Sequence, residues 1–120
     1  MNIEELREHC ISVKGASESF PFDETTLVFK IMGKMFAYIG LEPKDHKFRV
    51  SVKCDPEKSV ELREQYEGVT NGYHTKSLLW NSIYLESDVP DELIKELINH
   101  SVDEVIKKLP KKKQEEYRNL

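Results

Sequence analysis

Residues 25–41 read TTLVFKIMGKMFAYIGL, two runs rich in β-branched and aromatic residues on either side of a Met-Gly pair. Apolar side chains recur with a period of two, and this pattern predicts an antiparallel hairpin that turns at Gly33. Met-Gly is not a strong hairpin signal, so the register stays open. A two-residue loop would pair Phe29 with Phe36, whereas a three-residue loop would pair Phe29 with Ala37.

The clearest alternation follows in residues 47–53, KFRVSVK. One side of this predicted strand carries Phe48, Val50 and Val52, and the other carries Lys47, Arg49, Ser51 and Lys53. The first set favours a core-facing side, and the second favours a solvated, positively charged side. Alternating charges also keep an exposed sheet face soluble and discourage edge pairing, so this side has a structural interpretation as well as a functional one.

The flanking segments predict helices and one more strand. Asn2 with Glu5 is typical of a capping box, and Asp55 before Pro56 is typical of a second helix start. Residues 79–85 read as a fourth strand. Pro90 opens a third helix, and SVDE at Ser101 predicts a restart as a short helix ending before Pro110. We expect one α+β domain over residues 1–110, an antiparallel sheet of about four strands with helices on one face, and a basic, exposed tail over residues 111–120.

Composition narrows the classes of function. The chain has 120 residues and a net charge of -4, and no apolar run approaches the roughly 18 residues that span a bilayer. We therefore expect a cytoplasmic protein without a membrane partner, and a monomer because no apolar stripe is left uncovered. Charge is unevenly distributed: residues 24–53 carry +3 and residues 105–120 carry +4 in an otherwise acidic chain. Whether these two basic zones adjoin depends on the fold.

Known catalytic signatures are absent from the sequence. Neither GxSxG nor a P-loop occurs, and the histidines and cysteines lack metal-ligand spacing. His74 has no carboxylate beside it to orient an imidazole base, which favours a structural histidine. Cys10 and Cys54 are predicted to be buried thiols. We expect a non-enzymatic protein with no cofactor and no metal.

Four stretches together resemble the MmcQ/YjbR family of small bacterial proteins over residues 1 to about 110. They are HCISVKGASESFPFDETTLVFKIMGKMFA (9–37), VKCDPEKSVELREQYEGV (52–69), NGYHTKSLLWNSIYL (71–85) and DVPDELIKELINHSVDEVIKKLP (88–110). The resemblance implies a compact domain often labelled DNA-binding, with a fold similar to the "double wing" domain of the phage transcription factor MotA. The positions that match the family pattern are Lys30, Lys34, Lys53, Tyr73, His74, Trp80 and Asn81. Ser77, Leu78 and Leu79 depart from the polar, basic character of the family at this point, which disfavours phosphate contact by this segment.

The leading hypothesis is a small binding module that contacts DNA weakly through a basic face of the sheet. Its candidate residues are Lys30, Lys34, Lys47, Arg49 and Lys53. A second set is predicted to form either a ligand site or a structural landmark: Tyr73, His74, Lys76, Trp80 and Asn81. Trp80 is typical of a core anchor, or of a platform on which a base stacks. The alternatives are a protein-interaction or regulatory adaptor, and a small-molecule binder around His74 and Trp80.

Overall fold

The computed structural model describes residues 1–71 and 79–120. These residues form a six-stranded sheet and four helices, which confirms the single α+β domain. The helices are α1 (Ile3–Ser12), α2 (Pro56–Gln65), α3 (Asp91–Lys107) and α4 (Lys111–Arg118). The strands are β1 (Ser17–Ser19), β2 (Thr26–Ile31), β3 (Lys34–Gly40), β4 (Arg49–Lys53), β5 (Val69–Asn71) and β6 (Trp80–Tyr84). The sheet is antiparallel in the order β1-β2-β3-β4-β6-β5. It exceeds the expected four strands by two three-residue edge strands, β1 and β5.

The β2–β3 hairpin combines features of both expected registers. Ile31 pairs with Lys34, so the loop has two residues, and both of its residues have positive φ (50° and 75°), as a type I′ turn requires. The register then shifts, and Phe29 pairs with Ala37. Phe36 is the extra residue of this β-bulge, and its side chain is fully buried. The loop therefore has two residues, but the bulge gives Phe29 the partner, Ala37, that was expected for a three-residue loop.

Strand β4 lies inside the sheet, between β3 and β6. Val50 and Val52 are fully buried in the hydrophobic core, as predicted. The expectation of a solvated opposite side is wrong at the middle of the strand. Ser51 is only 2% exposed, and its hydroxyl is hydrogen-bonded to that of Ser82 on β6 (3.0 Å). Phe48 precedes the strand and is more exposed than predicted, at 37%.

Three helix starts are confirmed, including Pro90 as the N-cap of α3, and one is wrong. The Asn2–Glu5 capping box is present at α1, and the Asp55 carboxylate caps α2, which begins at Pro56. The expected restart at Ser101 does not occur, because α3 runs unbroken from Asp91 to Lys107. Ser101 is instead fully buried, and its hydroxyl bonds to the sheet.

The helices and one face of the sheet enclose a single core. Its members include Leu6 of α1, Leu62 of α2, Leu97 of α3 and Tyr117 of α4. Residues 111–118 are helical, and most of residues 111–120 are exposed, but Tyr117 is buried and its hydroxyl donates to the Lys14 carbonyl (2.7 Å). An aromatic ring that packs into the core holds this end of the chain in place.

Both cysteines are buried and free, as predicted. Burial raises the pKa of the Cys10 thiol to about 12 and also raises the pKa of Cys54. Such thiols are poor nucleophiles at neutral pH, because the reactive species is the thiolate. None of the helices in the described residues is both long and apolar enough to cross a bilayer.

Candidate nucleic-acid interface

The face of the sheet that points away from the core carries most of the candidate residues; we call it the second face. It consists of Thr26, Val28, Lys30, Tyr38, Arg49, Ser51, Lys53, Thr70, Trp80, Ser82 and Tyr84. Strand alternation and the observed pairings place them together, because the other strand positions belong to the core. The middle of this face is closed to solvent: Tyr38 is 6% exposed and Ser51 is 2% exposed. A macromolecule that contacts this face therefore has to use one of its two ends.

The first end, which we call the hairpin end, is where β2 turns into β3. Lys34 starts β3 next to this turn, and Lys30 pairs with its neighbour Met35. On the other side of β3, Lys53 ends β4 and pairs with Trp80 at the start of β6. Three of the five predicted basic residues thus lie at the same end of the sheet as the only tryptophan of the chain. Within residues 1–71 and 79–120, Lys30, Lys34 and Lys53 form no ion pair.

Lys53 sits where β4 meets the end of α3. Its backbone N–H donates to the Ser101 hydroxyl (2.8 Å), which fixes the strand end against the helix. Partial burial lowers the pKa of the Lys53 ammonium, the positive charge of Lys108 lowers it further, and Glu104 acts in the opposite direction. An ammonium that is partly desolvated beside a second cation gains from a bound anion, because the anion offsets both effects. Lys53 is thus a partly desolvated cation beside a second cation.

Lys108 was missed by reasoning from the sequence. It is the C-cap of α3, 55 positions after Lys53, and no local pattern links the two. The positive charge of Lys108 contributes to the lowered pKa of Lys53, so the two basic zones of the chain come near each other at these two residues. The signal that could have found Lys108 is the +4 balance of residues 105–120. We call Lys30, Lys34, Lys53 and Lys108 the cation group.

The other two predicted basic residues lie at the opposite end of the second face. Lys47 precedes β4, and Arg49 begins it, about 13 Å from Lys53 along four strand residues. The Arg49 guanidinium donates to the Asp45 carboxylate (2.7 Å) and lies 4.8 Å from the centre of the Tyr84 ring. Its side chain is 20% exposed. Arg49 therefore helps to hold the loop before β4, and the expected row of phosphate contacts along one strand is divided into two separate groups.

Trp80 and Asn81 have different surroundings although they are neighbours in sequence. The Trp80 ring is half-buried and makes a tilted contact with Tyr38, with 5.7 Å between ring centroids. Asn81 is 1% exposed, donates to the Ser59 hydroxyl (3.0 Å) and accepts from Arg63 Nε (2.9 Å). Asn81 is a structural landmark that ties β6 to α2. The predictions for Tyr73, His74 and Lys76 lie outside the described residues.

His100 lies on α3, and its environment does not suit a general base. Its Nε2 accepts the backbone N–H of Asp55 (3.2 Å) and lies 3.7 Å from the Glu104 carboxylate. Burial lowers the pKa of His100, as does the positive charge of Lys58. A neutral imidazole that accepts a backbone N–H stabilises the start of α2. Within the described part of the chain, no three His, Cys, Asp or Glu residues are grouped to hold a metal ion.

Two clefts lie at the end of the sheet that is opposite to the cation group. The larger, of about 850 Å³, is lined by Glu4, Glu67, Glu86 and Asp88 among others, with His46 and Lys47 as its basic residues. Its acidic walls make it unsuitable for a polyanion. The smaller, of about 420 Å³, lies on the second face between the segment before β2 and the loop before β4. We call it the loop-end cavity.

Comparison with known proteins places the chain among small bacterial relatives. The YjbR family model matches residues 11–103. The uncharacterized protein YjbR of Escherichia coli K12 is 29% identical over 113 residues, with 94% of each chain covered. The uncharacterized protein YbdF of Escherichia coli O157:H7 is 33% identical over 99 residues, covering 82% of this chain and 80% of the relative.

Solved structures support the same assignment. The crystal structure of the Deinococcus radiodurans protein DR2400, described by the family domain DUF419, is similar with a TM-score of 0.86 and 34% identity. It covers 97% of this chain and 87% of that one. A Pseudomonas syringae protein shares the fold, with a TM-score of 0.72 at 19% identity over 84% of this chain and 96% of that one. With the family model matched over most of its length, the chain belongs to the YjbR family.

Proposed function

We propose that this protein is a small, non-enzymatic nucleic-acid-binding module that contacts phosphates through the cation group at the hairpin end of its sheet. The observation that carries the proposal is the convergence of Lys30, Lys34 and Lys53 on the hairpin end of the sheet, without ion pairs among the described residues. Lysines without internal partners can exchange condensed counterions for contacts with phosphate.

The neighbourhood of Lys53 supports the same ligand. Its pKa is lowered by burial and by Lys108, and a phosphate would offset both effects. Glu104 limits the local positive charge, but its carboxylate is shared with His100 (3.7 Å) and Lys107 (4.0 Å). The half-buried Trp80 ring stands at the same end of the sheet and offers an aromatic surface beside the lysines.

The distribution of charge gives the molecule an orientation. The cation group lies at one end, and the acidic lining of the larger cleft lies toward the other. A polyanion is attracted to the first end and repelled by the second, which steers its approach. With only three or four phosphate contacts and a net charge of -4, we expect weak, salt-sensitive binding.

The test is a comparison of two variants that change the net charge equally. In the first, Lys30, Lys34 and Lys53 are each changed to Gln; in the second, Lys44, Lys47 and Lys95 are each changed to Gln. Binding of labelled duplex and single-stranded DNA is followed by fluorescence anisotropy, and folding of each variant is checked by circular dichroism. The first variant should bind much more weakly, and the salt slope of the remaining binding should fall by about three, that is about one for each phosphate-contacting lysine.

The control variant separates local contact from general attraction. Its lysines lie on the loop before β4 and on the first half of α3, outside the cation group. Long-range attraction falls equally in both variants, because both lose three positive charges. Equal loss of affinity in the two variants, or retained affinity in the first, would contradict the proposal.

A second candidate function is a protein-interaction adaptor, and one observation favours it. Phe20 and Phe22 flank Pro21 between β1 and β2 and are 49% and 69% exposed. Large aromatic side chains exposed in this way are enriched at protein interfaces. Changing both phenylalanines to Ser should abolish co-purification of a discrete, stoichiometric partner if the adaptor function holds. Co-purification that is unchanged by the double substitution, or a protein that purifies alone in both forms, would count against it.

A further inference from the structure

The loop-end cavity has the size and lining of a small-molecule site that is separate from the cation group. Its volume of about 420 Å³ falls within the range of roughly 300–1,000 Å³ that is typical of ligand pockets. It is lined by Asp23, Thr25, Thr26, Tyr38, Gly40, Glu42, Pro43, Lys44, Asp45, Lys47, Arg49 and Ser51. Aliphatic side chains larger than proline are missing from this described lining, so the cavity suits a polar ligand.

The charges around the cavity are not all available to a ligand. The Asp23 carboxylate accepts the backbone N–H groups of Thr25 (2.9 Å) and Thr26 (2.7 Å). The Asp45 carboxylate accepts the backbone N–H of Lys47 (3.0 Å) and the Arg49 guanidinium (2.7 Å). These hydrogen bonds hold the pKa of both carboxyls below their usual values, so both carboxylates stay ionised and are satisfied within the fold.

Two ammonium groups at the rim are not neutralised in this way. Lys44 and Lys47 form no ion pair with any residue in the ranges 1–71 and 79–120. Each is exposed and lines the cavity. Two unpaired cations that converge on one cavity favour a ligand with a dianionic group, and a phosphate monoester is such a group near neutral pH.

Neutral and acidic oxygens line the rest of the cavity. The hydroxyls of Thr25 and Thr26 donate to the Asp23 carboxylate and can each still accept a hydrogen bond. The Glu42 carboxylate is an acceptor without an ion pair among the described residues. Groups of this kind bind sugar hydroxyls. We propose that the loop-end cavity binds a phosphorylated sugar, with the phosphate at Lys44 and Lys47 and the sugar hydroxyls against the two threonines and Glu42.

The ligand class is tested with three small probes and isothermal titration calorimetry. Ribose 5-phosphate carries both groups, ribose lacks the phosphate, and inorganic phosphate lacks the sugar. We expect saturable binding of ribose 5-phosphate with a Kd on the order of 1 mM or tighter. Inorganic phosphate should bind about tenfold more weakly, and ribose should show no measurable binding. Adenosine 5′-monophosphate distinguishes a nucleotide from a free sugar phosphate, because only a site that also holds the base binds it more tightly than ribose 5-phosphate.

Two matched variants place the site. Changing Lys44 and Lys47 to Gln should weaken ribose 5-phosphate binding by about tenfold or more, since charge-assisted hydrogen bonds are lost. Changing Lys30 and Lys34 to Gln removes the same charge from the hairpin end and should leave it unchanged. The inference is overturned if ribose 5-phosphate shows no saturable binding to the intact protein, or if the two variants bind it equally. Neither result depends on DNA binding, which uses different lysines.

Discussion

The hydrogen bonds of the Ser101 hydroxyl allow the effect of a Ser101→Ala substitution on stability to be predicted from the structure. It donates to the Phe36 carbonyl (2.6 Å) and accepts the Lys53 backbone N–H (2.8 Å), and Ser101 is fully buried. This single oxygen therefore bridges β3 and β4 next to the bulge, where the register between β2 and β3 shifts. In Ser101→Ala, one buried carbonyl and one partly buried N–H lose their partner.

The expected cost follows from these two groups. Leaving a buried polar group unsatisfied costs about 1–3 kcal/mol, and the higher helix propensity of Ala returns about 0.5 kcal/mol. We expect Ser101→Ala to lower the free energy of unfolding by about 2–4 kcal/mol. For a chain of this size, that corresponds to a fall in Tm of about 8–16 °C.

Urea and thermal unfolding followed by circular dichroism measure the effect, with Ser12→Ala as the control. Ser12 ends α1 and is exposed, so its substitution should change stability by no more than about 0.5 kcal/mol. Ser101→Asn tests the competing interpretation, in which Ser101 caps a separate helix. Asn is an equally good cap, yet it is too large for the buried bridge and should destabilise the fold strongly. Wild-type stability of Ser101→Ala, or of Ser101→Asn, would refute the bridging role.

Three further predictions concern the reactivity of Cys10, the loss of stability at acid pH and the docking of α4. Because burial raises the pKa of Cys10 to about 12, it should react with Ellman's reagent far more slowly in the native protein than in urea; rapid native reaction would contradict its burial. Backbone hydrogen bonds lower the pKa of Asp23 and of Asp88 in the folded state. Their stabilisation is present above the unfolded pKa of about 3.9 and is lost as pH falls through the lower folded pKa, so urea midpoints should drop below about pH 4, and less steeply when both are changed to Asn. Tyr117→Phe removes the hydrogen bond to the Lys14 carbonyl and should cost about 1 kcal/mol in urea unfolding, whereas no change would show that α4 docks through the ring alone.

Much of the fold could be predicted from the sequence because the signals were local. Period-two patterns identified β2, β3, β4 and β6, and capping residues identified the starts of α1 and α2. The edge strands β1 and β5 have three residues each, too few for a period to be visible. They form because longer neighbours offer unpaired backbone groups.

The errors came from residues whose partners are distant in sequence. Ser101 has the local pattern of a helix cap, but its hydroxyl is used by strands 48 and 65 positions away, and the helix continues through it. Ser51 was expected in solvent because strand alternation predicts to which face of the sheet a side chain points, but not whether that face is covered. Tyr117 stands in a highly charged segment, and only the three-dimensional fold brings a core surface to it.

Only part of the candidate site could be predicted from the sequence. Lys30, Lys34 and Lys53 were identified from strand pattern and family resemblance, and the structure places all three at one end of the sheet. Lys108 was not identified, since its proximity to Lys53 depends on how α3 packs. Arg49 was assigned to the same set as the three lysines. The sequence does not show its ion pair with Asp45, because that pair depends on the geometry of the loop.

The salt dependence of DNA binding tests the central claim most directly. Labelled DNA is titrated with the intact protein at several salt concentrations between about 50 and 200 mM, and the logarithm of the association constant is plotted against that of the salt concentration. Three to four phosphate contacts from the cation group predict a slope of about -2.7 to -3.6 on duplex DNA, a loss of about 40- to 150-fold over this range. No binding at the lowest salt, or a slope near zero, would contradict a phosphate interface at the hairpin end.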